Sequence, residues 1–166
     1  LFKKMVIADR LYATVSHVFD NYNDLDGSII ALGVVCYTVQ LYMEFSGCMD
    51  IIIGSGEIFG ITLPENFRQP FAAKDASEFW RRWHITLGTF FKDYIFYSIS
   101  LAKPVKKFAK RVKEKCGRTV SKFVGPTIAL FGVWSCNGLW HGANWTFIFY
   151  GMYYFVLIFI ENITEE

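Results

Sequence analysis

The sequence predicts an all-α, polytopic membrane protein with re-entrant or interfacial helices, and three observations carry that expectation. Of 166 residues, 53% are hydrophobic and 19% aromatic, well above an average soluble chain. Apolar runs recur at Ser28 to Phe45, Val124 to Leu139 and Ala143 to Ile160; a run of eighteen residues reaches about 27 Å, close to the hydrocarbon thickness of a bilayer. Charged residues gather in blocks beside apolar residues at helical spacing, as in helices lying at an interface.

Residues 3–19 open the series: Met5, Ala8, Leu11, Tyr12, Val15, Val18 and Phe19 recur three and four apart behind Lys3, Lys4, Asp9 and Arg10. This pattern predicts an amphipathic helix starting at a membrane surface. His17 near its end has no evident chemical task, and Asn21 to Gly27 is a polar turn. Ser28 to Phe45 is a first span, with Gln40 and Glu44 on one face. Gly47 is expected to break it before a second segment, Met49 to Ile61, in which Asp50, Gly54 and Glu57 share a face. Carboxylates at this depth are expected to face protein or a watery cavity. Two roles stay open for them, a tunnel lining or interhelix hydrogen bonds.

Leu63 to Pro70 contains two prolines and reads as a loop. Asp75 and Glu78 form a capping-box pattern for a helix running from Phe79 to Phe91, on which Trp80, His84, Gly88 and Phe91 share a face. It is too polar to cross a bilayer in the ordinary way. Arg81 and Arg82 would reach lipid headgroups or an anionic substrate. Ile95 to Ala102 is a separate run too short to span. Lys103 to Lys122 then carries nine Lys or Arg residues and one acid, Glu114, on an amphipathic pattern that predicts a basic helix facing solvent or headgroups on the cytoplasmic side. In the next run, Pro126 and its glycines predict a bent or re-entrant helix.

Trp140-His141-Gly142 joins the last two apolar runs and places an imidazole inside or at the edge of the membrane. Ionisable groups there tend to mark pathways or reactive sites, although an interfacial His bonded to a carbonyl is the simpler reading. With His84 it makes a pair suited to acid–base work, since neutral imidazole removes protons near pH 7. The cysteines at 36, 48, 116 and 136 lack metal-ligand or disulfide spacing, and no metal site or tightly bound cofactor is expected. No P-loop, dinucleotide or zinc-finger pattern occurs, and nucleic acid is not expected as a partner. The absence of an initiator Met and of a cleavable signal leads us to expect a piece of a longer chain, with residues 1–166 as a partial domain.

Five blocks together resemble one family. Gln40-Leu-Tyr-Met-Glu-Phe-Ser-Gly47, Asp50-Ile-Ile-Ile-Gly54, Leu63-Pro-Glu-Asn-Phe67, Glu78-Phe-Trp-Arg-Arg-Trp-His-Ile-Thr-Leu87 and Gly138-Leu-Trp-His-Gly-Ala143 are similar to the ordered blocks of membrane-bound O-acyltransferases, in the bacterial branch that acetylates alginate and other cell-wall polysaccharides. The resemblance implies a multi-pass plasma-membrane enzyme. It would move an acetyl group, with acetyl-CoA as donor, toward hydroxyls of an extracytoplasmic polysaccharide, with a separate extracytoplasmic protein completing transfer. It implies His141 and His84 as catalytic residues, His141 as general base kept neutral by burial. The weaker substrate or tunnel positions are Glu44, Asp50, Arg81, Arg82, Trp83, Asn137 and Trp140. Glu44, Cys48-Met49 and the Lys-rich segment depart from the branch pattern and bear on the acceptor. The rival reading is a transporter or channel subunit whose buried His and carboxylates form a proton or ion path.

Overall fold

Helices carry almost the whole chain. The computed structural model describes residues 1–164, and among them the sole β pairing is an isolated antiparallel bridge between Phe67 and Trp83. Two compact units divide the chain, Leu1–Asn66 and Phe67–Glu166.

The first unit is a long helix with a shorter one laid against it. A π-helical segment, Phe2–Ala8, runs into α1, Asp9–Asp20, and buries Ala8, Val15 and Val18, as the apolar spacing predicts. The side chain of Asp26 accepts from the Ser28 N–H and caps α2, Gly27–Ile58. At 32 residues, α2 runs straight through Gly47, where a break is expected from sequence. The glycine serves close packing instead: a Cβ there would lie 3.1 Å from Lys3 Cβ and 3.2 Å from the Lys4 nitrogen. At the end of α2, Gly60 adopts φ 72°, and the Ile61 and Gly60 N–H groups donate to the Gly56 and Glu57 carbonyls. This is a Schellman stop, which a glycine at positive φ makes cheap.

In the second unit, loop residues 67–75 lead into α3, Ala76–Arg82. The Asp75 carboxylate accepts from the Glu78 N–H, the expected cap, and Glu78 accepts from the Lys74 N–H and pairs with Arg82. These bonds hold the Glu78 carboxyl below the usual range, the Lys74 N–H contributing most. The single helix expected over 79–91 is interrupted: Trp83 is extended (φ −107°, ψ 126°), and His84 is left-handed (φ 49°, ψ 52°). A rod then continues without a break through α4, Ile85–Phe90, a π-helical segment, Phe91–Phe96, and α5, Tyr97–Ser100. Ile95 to Ala102 is therefore no separate element.

Next comes α6, Lys103–His141, whose helical geometry fails at Gly117 (φ 87°, ψ 176°). The Ser121 hydroxyl donates to the Ala109 carbonyl at 2.8 Å. Twelve residues of straight helix would separate them by about 18 Å, so the chain turns back at Gly117 and the basic stretch forms a hairpin. The helix continues through Pro126, where a bend is expected from sequence. Packed against its second half is α7, Trp145–Thr164, across a glycine seam. A Cβ on Gly151 would lie 2.4 Å from the Trp134 carbonyl oxygen, and one on Gly138 2.6 Å from that of Phe147. Among the described residues, Gly27–Ile58 and Trp145–Thr164 are long and apolar enough to cross a membrane.

Candidate functional site

The second unit brings both imidazoles to one indole. His84 sits where α3 ends and the 85–100 rod begins, and its left-handed backbone is a conformation a non-glycine residue adopts at some cost. The orientation of α3 is fixed from both ends. Glu161 of α7 accepts from the Ala76 N–H at 2.8 Å and from the Ser77 N–H and hydroxyl at 3.0 and 2.8 Å. The Trp80 ring packs edge-on against Trp134 and Tyr154, with centroids 5.0 and 4.9 Å away. With α3 held on the α6–α7 pair, the His84 ring comes to 6.0 Å from that of Trp140.

His141 is the last residue of α6. Its ring lies 4.8 Å from Trp140, 5.5 Å edge-on from Tyr150 and 6.1 Å, stacked, from Phe147. Gly142 follows with φ 151°, and a Cβ there would lie 2.8 Å from the Phe147 ring. The third residue of the Trp-His-Gly block is thus a glycine for steric reasons. Asn144 accepts from the Thr146 N–H and starts α7.

Beside His84 opens a cavity of about 500 Å³. Of the positions predicted from sequence, Arg81, Trp83, His84 and Asn137 line it. Arg82 is engaged by Glu78, and Trp140 and His141 lie outside the lining. Glu44 and Asp50 belong to the first unit, where they pair with Lys4 and Lys3, each at 2.7 Å. His141 departs from the expected burial: it is exposed at the end of its helix, whereas His84 is half-buried. Both imidazoles, outside the two span-length helices, are held below the ordinary histidine range. Although His141 is exposed as a residue, its ring is partly desolvated, and this is the cause of its shift; for His84 desolvation comes first, with repulsion from His141 second. Among the described residues, no group of three His, Cys, Asp or Glu could hold a metal ion.

Tyr150, Phe147 and Lys92 enter the site region without having been singled out from sequence. The signal for the first two is the 147, 150, 154 spacing on the face of α7 that meets α6. Lys92 lines the cavity from the π-helical segment, which no pattern in the sequence announces.

Among the described residues, the chain is helical, with two helices long and apolar enough to cross a membrane and with two imidazoles meeting one indole beside a cavity. The model of the membrane-bound O-acyltransferase family matches residues 2–165, and the chain belongs to that family. It is 38% identical over 160 residues to a probable alginate O-acetylase of Pseudomonas aeruginosa, covering 96% of this chain and 27% of that protein. It is 37% identical over 162 residues to a peptidoglycan O-acetyltransferase of Helicobacter pylori, with 98% and 28% covered. A teichoic acid D-alanyltransferase of Bacillus subtilis is 32% identical over 130 residues, with 78% and 30% covered. The chain thus spans under a third of the length of these relatives.

Proposed function

We propose that this chain forms the imidazole-bearing part of a membrane O-acyltransferase that moves an acetyl group from a cytoplasmic thioester, acetyl-CoA, to a hydroxyl of an extracytoplasmic polysaccharide. The observation that carries the reading is the convergence of His84 and His141 on Trp140 beside the cavity. In the proposed step, neutral His141 takes the hydroxyl proton as the alcohol oxygen attacks the thioester carbonyl. The resulting oxyanion accepts a hydrogen bond from His84. Collapse breaks the carbon–sulfur bond, and the departing thiolate receives the proton held on His141. The product is an ester, and the imidazole returns to its neutral form.

Family membership and relatives named for acyl transfer to alginate, peptidoglycan and teichoic acid support this class of chemistry. The cationic hairpin of residues 103–122, with every Lys and Arg exposed, favours a cytoplasmic placement by the positive-inside rule. An extracytoplasmic partner completing transfer to the polymer belongs to the same proposal.

The test is acetyl transfer by the full-length protein in membranes, with His141→Ala and His84→Asn compared at matched abundance. Asparagine tolerates the left-handed backbone at position 84. Each substitution is expected to lower turnover about 100-fold or more. Undiminished transfer by His141→Ala would remove the proposed base.

A further inference from the structure

The stretch from Lys103 to Lys122 carries nine Lys or Arg residues against one acid, Glu114, and each of the nine is exposed. Among the described residues, no ion pair involves any of them. Such a helix works against itself. Lys103 and Lys107, Lys106 and Lys110, and Lys107 and Arg111 stand four apart, where like charges destabilise a helix. Lys103, Lys106 and Lys107 also crowd its N-terminal end, which has no acid in the first turn and no side-chain cap, and the helix dipole disfavours cations there. Counter-charge from outside the chain would relieve both costs.

The packing of the hairpin narrows where that counter-charge lies. Val105 and Ala109 are half-buried and meet the returning arm: the Ala109 carbonyl accepts from the Ser121 hydroxyl, and a Cβ on Gly125 would lie 4.0 Å from Val105 and 3.8 Å from the Ser100 carbonyl oxygen. Lys103, Lys107, Lys110 and Arg111 take the opposite face. Both arms run on into apolar sequence, Ile95 to Ala102 and Val124 to Leu139, so the charged layer begins where the lipid-compatible layer ends. Leu101 and Phe108, beside the first cations, are 59% and 52% exposed. Exposed apolar side chains interleaved with a lysine-rich face suit a helix lying in a headgroup layer, with Lys stems against hydrocarbon and ammonium groups in water. A soluble acidic partner accounts for the cations but not for Leu101 and Phe108.

We infer that the 103–122 hairpin is a docking surface for anionic phospholipid headgroups of the membrane in which the chain sits: the cationic face takes the phosphates, and Leu101 and Phe108 meet the hydrocarbon beneath them. Each Lys or Arg at an anionic surface adds to the attraction until salt screens it. This docking is independent of the chemistry proposed for His84 and His141, and anionic lipid stabilises the hairpin whether or not acetyl transfer occurs.

The test is amide hydrogen exchange over residues 107–116 of the full-length protein in two kinds of nanodisc, phosphatidylcholine alone and equal parts phosphatidylcholine and phosphatidylglycerol. Exchange is expected to be about tenfold slower in the anionic discs. Combining Lys106→Gln, Lys107→Gln, Lys110→Gln and Arg111→Gln keeps helix propensity and should abolish the lipid dependence. In phosphatidylcholine alone the same variant should exchange more slowly than wild type, because its self-repulsion is relieved. Equal exchange of the wild type in the two discs overturns the docking, even where an added acidic protein or nucleotide slows exchange. A lipid dependence that survives in the quadruple variant also overturns it, since the attraction would then lie elsewhere. Salt decides the point with wild type alone if the variant does not assemble: the difference should largely vanish at about 1 M salt, and one that persists there overturns the docking.

Discussion

The two units treat polar side chains within apolar sequence differently. In the first, the carboxylates of α2 meet ammonium groups: Glu44 pairs with Lys4 and Asp50 with Lys3, and Asp9 also reaches Lys4. The Lys4 ammonium is held above its usual range, chiefly by the hydrogen bond to Glu44 and next by that to Asp9. In the second unit, the neighbours of His84 and His141 include aromatic rings. A charge cancelled by a local partner serves packing, whereas the imidazoles of the second unit stand among rings, with His84 lining a cavity. Residue type alone does not separate these roles, because Asp50 and His141 look equally out of place in an apolar sequence.

The contrast is broken most severely at the glycine seam that carries the second site. Gly151→Leu or Gly138→Leu drives a side chain into a facing backbone carbonyl, and a loss of about 3 kcal/mol or more is expected. Thermal unfolding of the full-length protein in detergent reads it. Next in size is the activity contrast between units. Asp50→Asn should leave transfer within about fivefold of wild type, the scale of an exposed ion pair, against the far larger loss expected for His84→Asn. Equal losses at the two positions would erase the distinction.

Acid sharpens the same comparison. Because both imidazoles titrate below the ordinary value of 6.5, they are neutral at pH 7 and protonate only in more acidic solution. Activity dependent on neutral imidazole is therefore present above that value and falls as pH drops below it. A pH profile of kcat/KM should show its acid limb below 6.5, and a limb above 7 contradicts the assignment. The smallest effect belongs to Glu161, which ties α7 to the first turn of α3. Glu161→Gln should cost about 1 kcal/mol in thermal unfolding and raise amide exchange at Ala76 and Ser77.

Much of this was legible in the sequence. Apolar spacing located the front helix, the prolines at 64 and 70 marked the loop, Asp75 marked the start of α3, and the Trp-His-Gly block marked the turn before α7. What escaped has physical causes. Gly47 and Gly117 are the same residue type with opposite roles: one lets a helix approach, the other lets the chain reverse, and only the surroundings decide. The break at His84 has no proline or glycine beside it. It follows from tertiary bonds, the Phe67–Trp83 bridge and the Arg68 N–H donating to the Arg82 carbonyl, which sequence spacing does not reveal. The exposure of His141 escaped for a related reason, since an apolar flank predicts burial but the helix ends at that residue.

The most direct test of the central claim is a double-mutant cycle on acetyl transfer by the full-length protein, using His84→Asn, His141→Ala and the pair. If both rings serve one chemical step around Trp140, the double variant should be little worse than the more damaged single variant, because residues acting as a unit do not lose activity additively. Losses that multiply would mean that the two imidazoles act independently, and would contradict a shared site.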